Sequence, residues 1–176
     1  GVDGGDEDGG GGGGEPSARA PDVLVMAKGL ASGFPLSGLA SRRELMDAQP
    51  PGSMGGTYAG NAVACAAAAE TQRVLRDEGL VENSRVMGAR LTAGIREIAA
   101  SAGKAAGAIR DVRGNGCMVG AQLDARFAAG TARAIALASA ERGLLLLNCS
   151  VYETVRFIPP LTVCASEIDE GLEAFK

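Results

Sequence analysis

The tightest constraint on what this chain can fold into lies between Pro21 and Leu36, where an apolar run, Val23 to Ala27, ends on Lys28 and then enters glycine-rich sequence. A short continuous apolar run bounded by turn formers predicts a strand buried on both faces. A lysine at its end has two outcomes. The commoner is an amine that snorkels to water along its own stem. The other is a desolvated amine, which loses its proton more easily and becomes a nucleophile toward carbonyl carbon. Gly33 and Gly38 permit a tight return, so Pro35 to Ser41 is expected to form a second short strand. Arg42 to Ala48 then predicts a short helix stopped by Pro50-Pro51.

Gly52 to Gly60 reads as a loop whose four glycines precede a helix starting near Asn61. A helix amino end offers unpaired N–H donors and a partial positive charge, so this is a physically suitable anion site, with the Thr57 hydroxyl beside it. Ordinary capping by Asn61 explains the same residues. Asn61 to Asp77 is alanine-rich and helical, ending near Gly79. A longer helix is expected from Leu80 to about Ser101, with Leu80, Ser84, Met87, Leu91, Ile95 and Ile98 on its buried stripe.

Gly103 to Gly107 marks a boundary, after which the pattern changes to strand. Ile109 to Arg113, a Gly114-Asn115-Gly116 turn and Cys117 to Leu123 predict a hairpin. Thr131 to Arg142 reads as a helix closed by Gly143, Leu144 to Leu147 as a buried strand, and Thr154 to Ile158 as a strand stopped by Pro159-Pro160. Ser166-Glu167-Ile168-Asp169 resembles a capping box opening a last helix. Together these predict a small α/β module with an antiparallel or mixed sheet. Strand alternation puts Val155 and Phe157 on one face and Arg156 on the other. The ordinary reading of Arg156 is a solvent-facing arginine paired with Glu153 or another carboxylate. Its planar fork can equally hold a ligand carboxylate through two parallel hydrogen bonds, a geometry lysine cannot copy.

Composition removes several classes of function. A 176-residue chain with 46% hydrophobic and 22% charged residues is long enough for a real core. Net charge is −4 without a basic cluster, which argues against nucleic acid and against an anionic membrane surface as partners. No apolar run approaches the roughly 20 residues that span a bilayer. Cys65, Cys117, Cys149 and Cys164 are scattered without metal or redox spacing and are expected to be small buried hydrophobes. No metal site is expected. Histidine is absent, so proton transfer falls to lysine or a carboxylate.

Three segments, in this order, carry a resemblance. Ala27-Lys28-Gly29-Leu30 with Gly33-Phe34-Pro35-Leu36-Ser37-Gly38, then Gly55-Gly56-Thr57-Tyr58-Ala59-Gly60-Asn61, then Val155-Arg156-Phe157-Ile158-Pro159-Pro160-Leu161 resemble the cofactor-lysine, phosphate-contacting and carboxylate-binding segments of the class III pyridoxal-phosphate aminotransferases. The wording from Pro51 to Ala64 is most similar to 4-aminobutyrate aminotransferases, with ornithine-type and other omega-amino-acid members as near alternatives. The resemblance runs from about Pro21 to the C-terminus. It implies an α/β chain forming the C-terminal part of the type I transferase fold, with residues 21–103 as a partial large domain ending in a linking helix and 104–176 as a small domain. It further implies pyridoxal 5′-phosphate as cofactor, held as a Schiff base on Lys28 and through its phosphate by Thr57 of a neighbouring subunit in a homodimer. Arg156 is the implied anchor for the carboxylate of an amino acid or 2-oxo acid substrate, and the expected location is cytoplasmic, or mitochondrial given a targeting segment.

Residues 1–20 are expected to be a disordered glycine and acidic leader. The family's Asp-Glu-Val-Gln stretch and Gly-Arg-Thr-Gly turn are not recognisable there, and Asp3, Asp6, Glu7 and Asp8 are not assigned to the pyridine nitrogen. The family's phosphate loop, stacked aromatic ring and pyridine-nitrogen aspartate are expected in sequence upstream of these residues. Two other functions share the motifs: a catalytically silent dimerisation or interaction module, and an aminomutase or racemase on the same cofactor.

Overall fold

The computed structural model describes residues 21–53, 55–101 and 107–176. The expected leader, 1–20, lies outside them, as does most of the expected domain boundary, 103–107, of which only Gly107 is described. The chain divides into two compact units, one ending at Thr71 and the other running from Gln72 to Lys176.

In the first unit, β1 (Val23–Met26) pairs antiparallel with β2 (Gly38–Ser41), Val23 opposite Ser41 and Met26 opposite Gly38. Lys28–Ala31 forms one 3-10 turn between them, and Ser32 (φ 48°) and Gly33 (φ 106°) reverse the chain. Asp22 fastens the far end of the ribbon, its carboxylate 2.9 Å from Arg42 and its carbonyl accepting the Ser41 hydroxyl at 2.8 Å. Helix α1 (Arg43–Asp47) follows, as the sequence predicts. The expected burial of β1 does not hold: Val25 is 72% exposed, and Val23 and Leu24 are exposed too. A ribbon of two strands gives each strand one neighbour, and among the described residues Val23, Leu24, Val25 and Leu39 stay exposed. Helix α2 (Ala62–Asp77) leaves this unit and continues into the next.

The second unit is a four-stranded antiparallel sheet packed against helices. Its elements are α3 (Leu80–Ala100), β3 (Ile109–Asn115), β4 (Met118–Leu123), α4 (Thr131–Glu141), β5 (Leu147–Cys149), β6 (Tyr152–Phe157) and α5 (Ala165–Phe175), with strand order β3-β4-β6-β5. One sheet face supplies Val112, Val119, Ala121, Val155 and Phe157 to a core completed by Leu91 and Ile95 of α3, Ala132 of α4, and Ile168 and Leu172 of α5. The stripe predicted on α3 is the side that packs, and Ile95, Val119 and Val155 are wholly enclosed, each worth about 1.5–3 kcal/mol of burial. Phe157 meets Phe175 edge to face at 5.0 Å.

Local details differ from the sequence reading for identifiable reasons. The hairpin turn is Gly116-Cys117, because Asn115 pairs with Met118 and only Gly116 (φ 53°) takes the left-handed position; Gly114 stays inside β3. The strand expected over Leu144–Leu147 begins at Leu147 and is an edge, with Leu145 exposed. Before it, Gly143 and Leu144 donate to the carbonyls of Ala140 and Ser139 at 3.0 and 2.9 Å, which closes α4 and delays the strand. The last helix is capped two residues early: the Cys164 N–H donates to Glu167 Oε2 at 2.8 Å, so Ser166 is already helical. That role leaves Cys164 exposed, and Cys65 is exposed as well, whereas Cys117 is buried as expected.

Candidate active site

Lys28 stands where β1 ends, and its backbone is left-handed, φ 55°. That conformation is unfavourable for any residue with a Cβ, by about 1–2 kcal/mol, and single strained residues of this kind gather at functional sites. The turn is held by the Leu30 N–H on the Ala27 carbonyl and the Ser32 N–H on the Gly29 carbonyl, both at 3.3 Å. The side chain is exposed rather than sheltered, because the strand that carries it is uncovered. No carboxylate among the described residues pairs with it.

Thr57 lies in the glycine loop, which folds into successive turns through Ala59 N–H to Gly56 carbonyl (2.9 Å) and Asn61 N–H to Tyr58 carbonyl (3.2 Å). Asn61 Oδ1 accepts the Ala64 N–H at 3.0 Å, so the ordinary capping role is realised at the amino end of α2. The loop borders an open cleft of about 870 Å³ with Val25, Ser37 and Leu39 of the ribbon side and Gly55, Thr57 and Tyr58 of the loop side. Lys28 is not among the residues lining it. The resemblance gives Thr57 to the cofactor of a neighbouring subunit, and within the first unit the cleft beside Thr57 is lined by residues of the ribbon and the glycine loop.

Arg156 sits on β6, opposite Gly120 of β4 and Leu147 of β5. It is half-buried, and its Nε is enclosed without a hydrogen-bond acceptor, an arrangement that carries a desolvation cost unless an acceptor arrives. The expected partner, Glu153, is engaged elsewhere. Its carboxylate accepts the N–H groups of Gly130 and Ala132, each at 2.7 Å, at the start of α4. The reason was legible in the spacing: residues three apart on a strand face opposite ways. After Arg156 the chain is tied down by Asn83, whose Nδ2 donates to the carbonyls of Leu161 (2.7 Å) and Val163 (3.0 Å).

Those two N–H bonds hold the Glu153 carboxyl below its ordinary value, the Ala132 contribution being the larger. A carboxyl lowered on folding stabilises the fold fully above the unfolded value, near 4.5, and loses that contribution as pH falls through the folded one. The urea midpoint is therefore expected to fall with pH below about 4.5, and Glu153→Gln to fall less steeply over the same window. Equal slopes in the two proteins would count against this tether.

The family model for class III aminotransferases matches residues 14–176. The chain belongs to the class III aminotransferases. The 5-aminovalerate aminotransferase of Pseudomonas aeruginosa is 42% identical over 158 residues, which is 86% of this chain and 36% of that relative. The 4-aminobutyrate aminotransferase of Escherichia coli is 41% identical over 164 residues, 88% of this chain and 37% of the relative. The class III chain thus spans little more than a third of the length of such relatives. Among solved structures, the acetylornithine aminotransferase of Elizabethkingia anophelis matches with a TM-score of 0.77 at 28% identity, over 89% of this chain and 40% of that one. The Plasmodium falciparum ornithine delta-aminotransferase matches at 0.76 and 31%, over 89% and 39%. This class III chain therefore has the expected α/β fold, a part of that of the type I pyridoxal-phosphate transferases.

Around Arg156 lies one feature that the sequence reading passed over. Gln122 bonds Thr154, Arg113 and the Glu153 carbonyl. A polar residue in an otherwise apolar β4 was its signal. Among the described residues no helix is long and apolar enough to cross a membrane, and no cluster suited to a metal ion is present.

Proposed function

We propose that this chain carries the amine, phosphate and carboxylate contacts of a pyridoxal-phosphate transaminase, which moves an amino group from an omega-amino acid to a 2-oxo acid. The observation that carries the reading is Lys28, strained at the end of β1 and unpaired among the described residues, in a chain matched by the class III family over almost its whole length. The residues present suit the cofactor by their chemistry: a primary amine for an aldehyde, a hydroxyl beside a helix amino end for a phosphate, and an arginine for a carboxylate.

Pyridoxal phosphate, when bound, supplies an electron sink for the pair left behind as a substrate C–H proton departs. Lys28 Nζ holds the cofactor in the resting protein, then takes up that proton and returns it. An amine serves as a base near neutral pH only when its charged form is disfavoured by burial, so the exposed end of β1 must be covered in the active assembly. Thr57 contacts phosphate through its hydroxyl. The reading includes a homodimer in which each Thr57 serves its partner's cofactor, as the resemblance of Gly55 to Asn61 to the family's phosphate-contacting turn implies. Arg156 orients the substrate by its carboxylate, and the acceptor-free Nε supports that role. Residues 21–103 and 104–176 then correspond to parts of a large and a small domain. Relatives named for 4-aminobutyrate and 5-aminovalerate support a donor with its amine at the chain end remote from the carboxylate.

With pyridoxal phosphate, 2-oxoglutarate and either 4-aminobutyrate or 5-aminovalerate, the chain is expected to form glutamate. An isomerised amino acid without glutamate would point to an aminomutase or racemase. Neither glutamate nor a cofactor absorption band that depends on Lys28 would leave only an interaction module. Arg156→Lys keeps the charge but loses the fork, and the half-saturating 2-oxoglutarate concentration is expected to rise roughly tenfold or more. An unchanged value would remove Arg156 from the site.

A further inference from the structure

The sheet face opposite the core carries a polar array in register. Across three strands Arg113, Gly120 and Arg156 form one row, and Gln122 stands opposite Thr154 in the next. Gln122 spends its side-chain amide on both neighbouring strands. Its Oε1 accepts from Thr154 Oγ1 at 2.8 Å and from Arg113 Nη2 at 3.2 Å, and its Nε2 donates to the Glu153 carbonyl at 3.1 Å. Thr154 is 5% exposed and shares its face of β6 with Arg156, two residues on.

We propose that Gln122 is a positioning residue for Arg156, an inference that rests on the reading of Arg156 as the substrate-carboxylate anchor. Two physical consequences follow from its bonds. The first concerns β6: backbone ladder bonds fix a strand's register but leave some freedom of roll, and bonds to the Thr154 hydroxyl and the Glu153 carbonyl remove it just before Arg156. A carboxylate held by two parallel bonds is sensitive to the direction of the guanidinium, because both bonds must be straight at once.

The second concerns Arg113. Only Gly120, which has no side chain, separates it from Arg156 in the row. Left free, a second guanidinium there would repel the first and compete for the same carboxylate. Its bonds to Gln122 and to Asp111, the latter 2.7 Å from Nη1, occupy it instead. Gly120 in turn keeps the surface beside Thr154 open, since a Cβ there would lie 3.3 Å from Thr154 Cγ2.

The test uses the 176-residue chain, labelled with nitrogen-15. The enclosed Arg156 Nε–H is a direct reporter, assigned by its loss in Arg156→Lys, and the probe is sodium 2-oxoglutarate against sodium chloride at matched ionic strength. The wild-type resonance is expected to shift saturably with 2-oxoglutarate alone. In Gln122→Met, which keeps the volume and loses the bonds, half-saturation is expected to move up roughly tenfold. Thr154→Val is expected to raise it about threefold and Thr154→Ser, which restores the hydroxyl, to return it to the wild-type value.

Gln122→Met with lowered thermal stability but unchanged half-saturation would show a merely structural glutamine and overturn the proposal. Should that variant not fold, the Thr154 pair decides: equal half-saturation in Thr154→Val and wild type overturns it. No saturable shift in the wild type would instead overturn the carboxylate reading of Arg156, and the present inference with it.

Discussion

Lys28→Ala is expected to abolish covalent capture of pyridoxal phosphate by this chain while leaving it folded. Incubating the wild type with the cofactor and reducing with borohydride should add one pyridoxyl group per chain, located by peptide mass on the segment containing residue 28. The variant should carry none. The chain has only two other lysines, Lys104 and Lys176, and Lys176 is paired with Glu173, so both serve as internal controls for indiscriminate surface labelling. Labelling of all three to similar extents in the wild type, or persistent single labelling in Lys28→Ala, would sink the assignment of position 28. The fold should survive because the side chain is exposed and alanine and lysine suffer alike from the left-handed backbone at φ 55°, leaving a stability change within about 0.5 kcal/mol. Circular dichroism of the variant checks that half of the expectation.

That experiment bears on a position where sequence and structure agree in part. The strand and its return were legible, since Val23 to Ala27 and Pro35 to Ser41 are punctuated by glycine and proline and become β1 and β2. The shelter of Lys28 was not. A continuous apolar run says that a strand belongs between two covering layers, but not which residues supply them, and among the described residues Val25 stands 72% exposed. The second unit was read more fully because its partners are local. The α3 stripe, the hairpin and the last helix all find their cover within Gln72–Lys176. Errors there shift element starts by up to three residues and follow from capping chemistry, as when Cys164 displaces Ser166 or the closure of α4 delays β5 to Leu147. At Arg156 the alternation of β6 was right, while the ordinary reading, pairing with Glu153 or another carboxylate, does not hold for Glu153. Alternation already sets Glu153 and Arg156 on opposite faces of β6; which partners Glu153 finds on its own face, two N–H groups at the start of a helix 21 to 23 residues away, depends on long-range geometry that spacing does not encode.

The same limit is sharpest at Gly88, where local and tertiary arguments give opposite signs. Glycine in the middle of a helix costs about 1 kcal/mol relative to alanine, so from α3 alone Gly88→Ala should stabilise. In the fold, Gly88 is buried, and a Cβ there would lie 2.0 Å from the carbonyl oxygen of Gly116 and 2.2 Å from its carbon. Those atoms are backbone of the β3–β4 turn and cannot rotate aside as a side chain could. The turn is also pinned to α3 from the next helical turn, where Ser84 Oγ accepts the Cys117 N–H at 3.0 Å, and a Cβ on Gly116 would in turn meet that hydroxyl at 2.4 Å. Relieving the contact therefore requires moving the hairpin off the helix and breaking the Ser84 bond. We expect Gly88→Ala to lose about 2–3 kcal/mol net, read as a lower urea midpoint, while Gly55→Ala, with nothing within 4 Å of its Cβ, stays within about 0.5 kcal/mol of wild type. A Gly88→Ala protein more stable than wild type would mean that the hairpin does not seat on α3. Because β4 leaves that turn and pairs with β6, the strand that carries Gln122 starts from the contact between these two glycines.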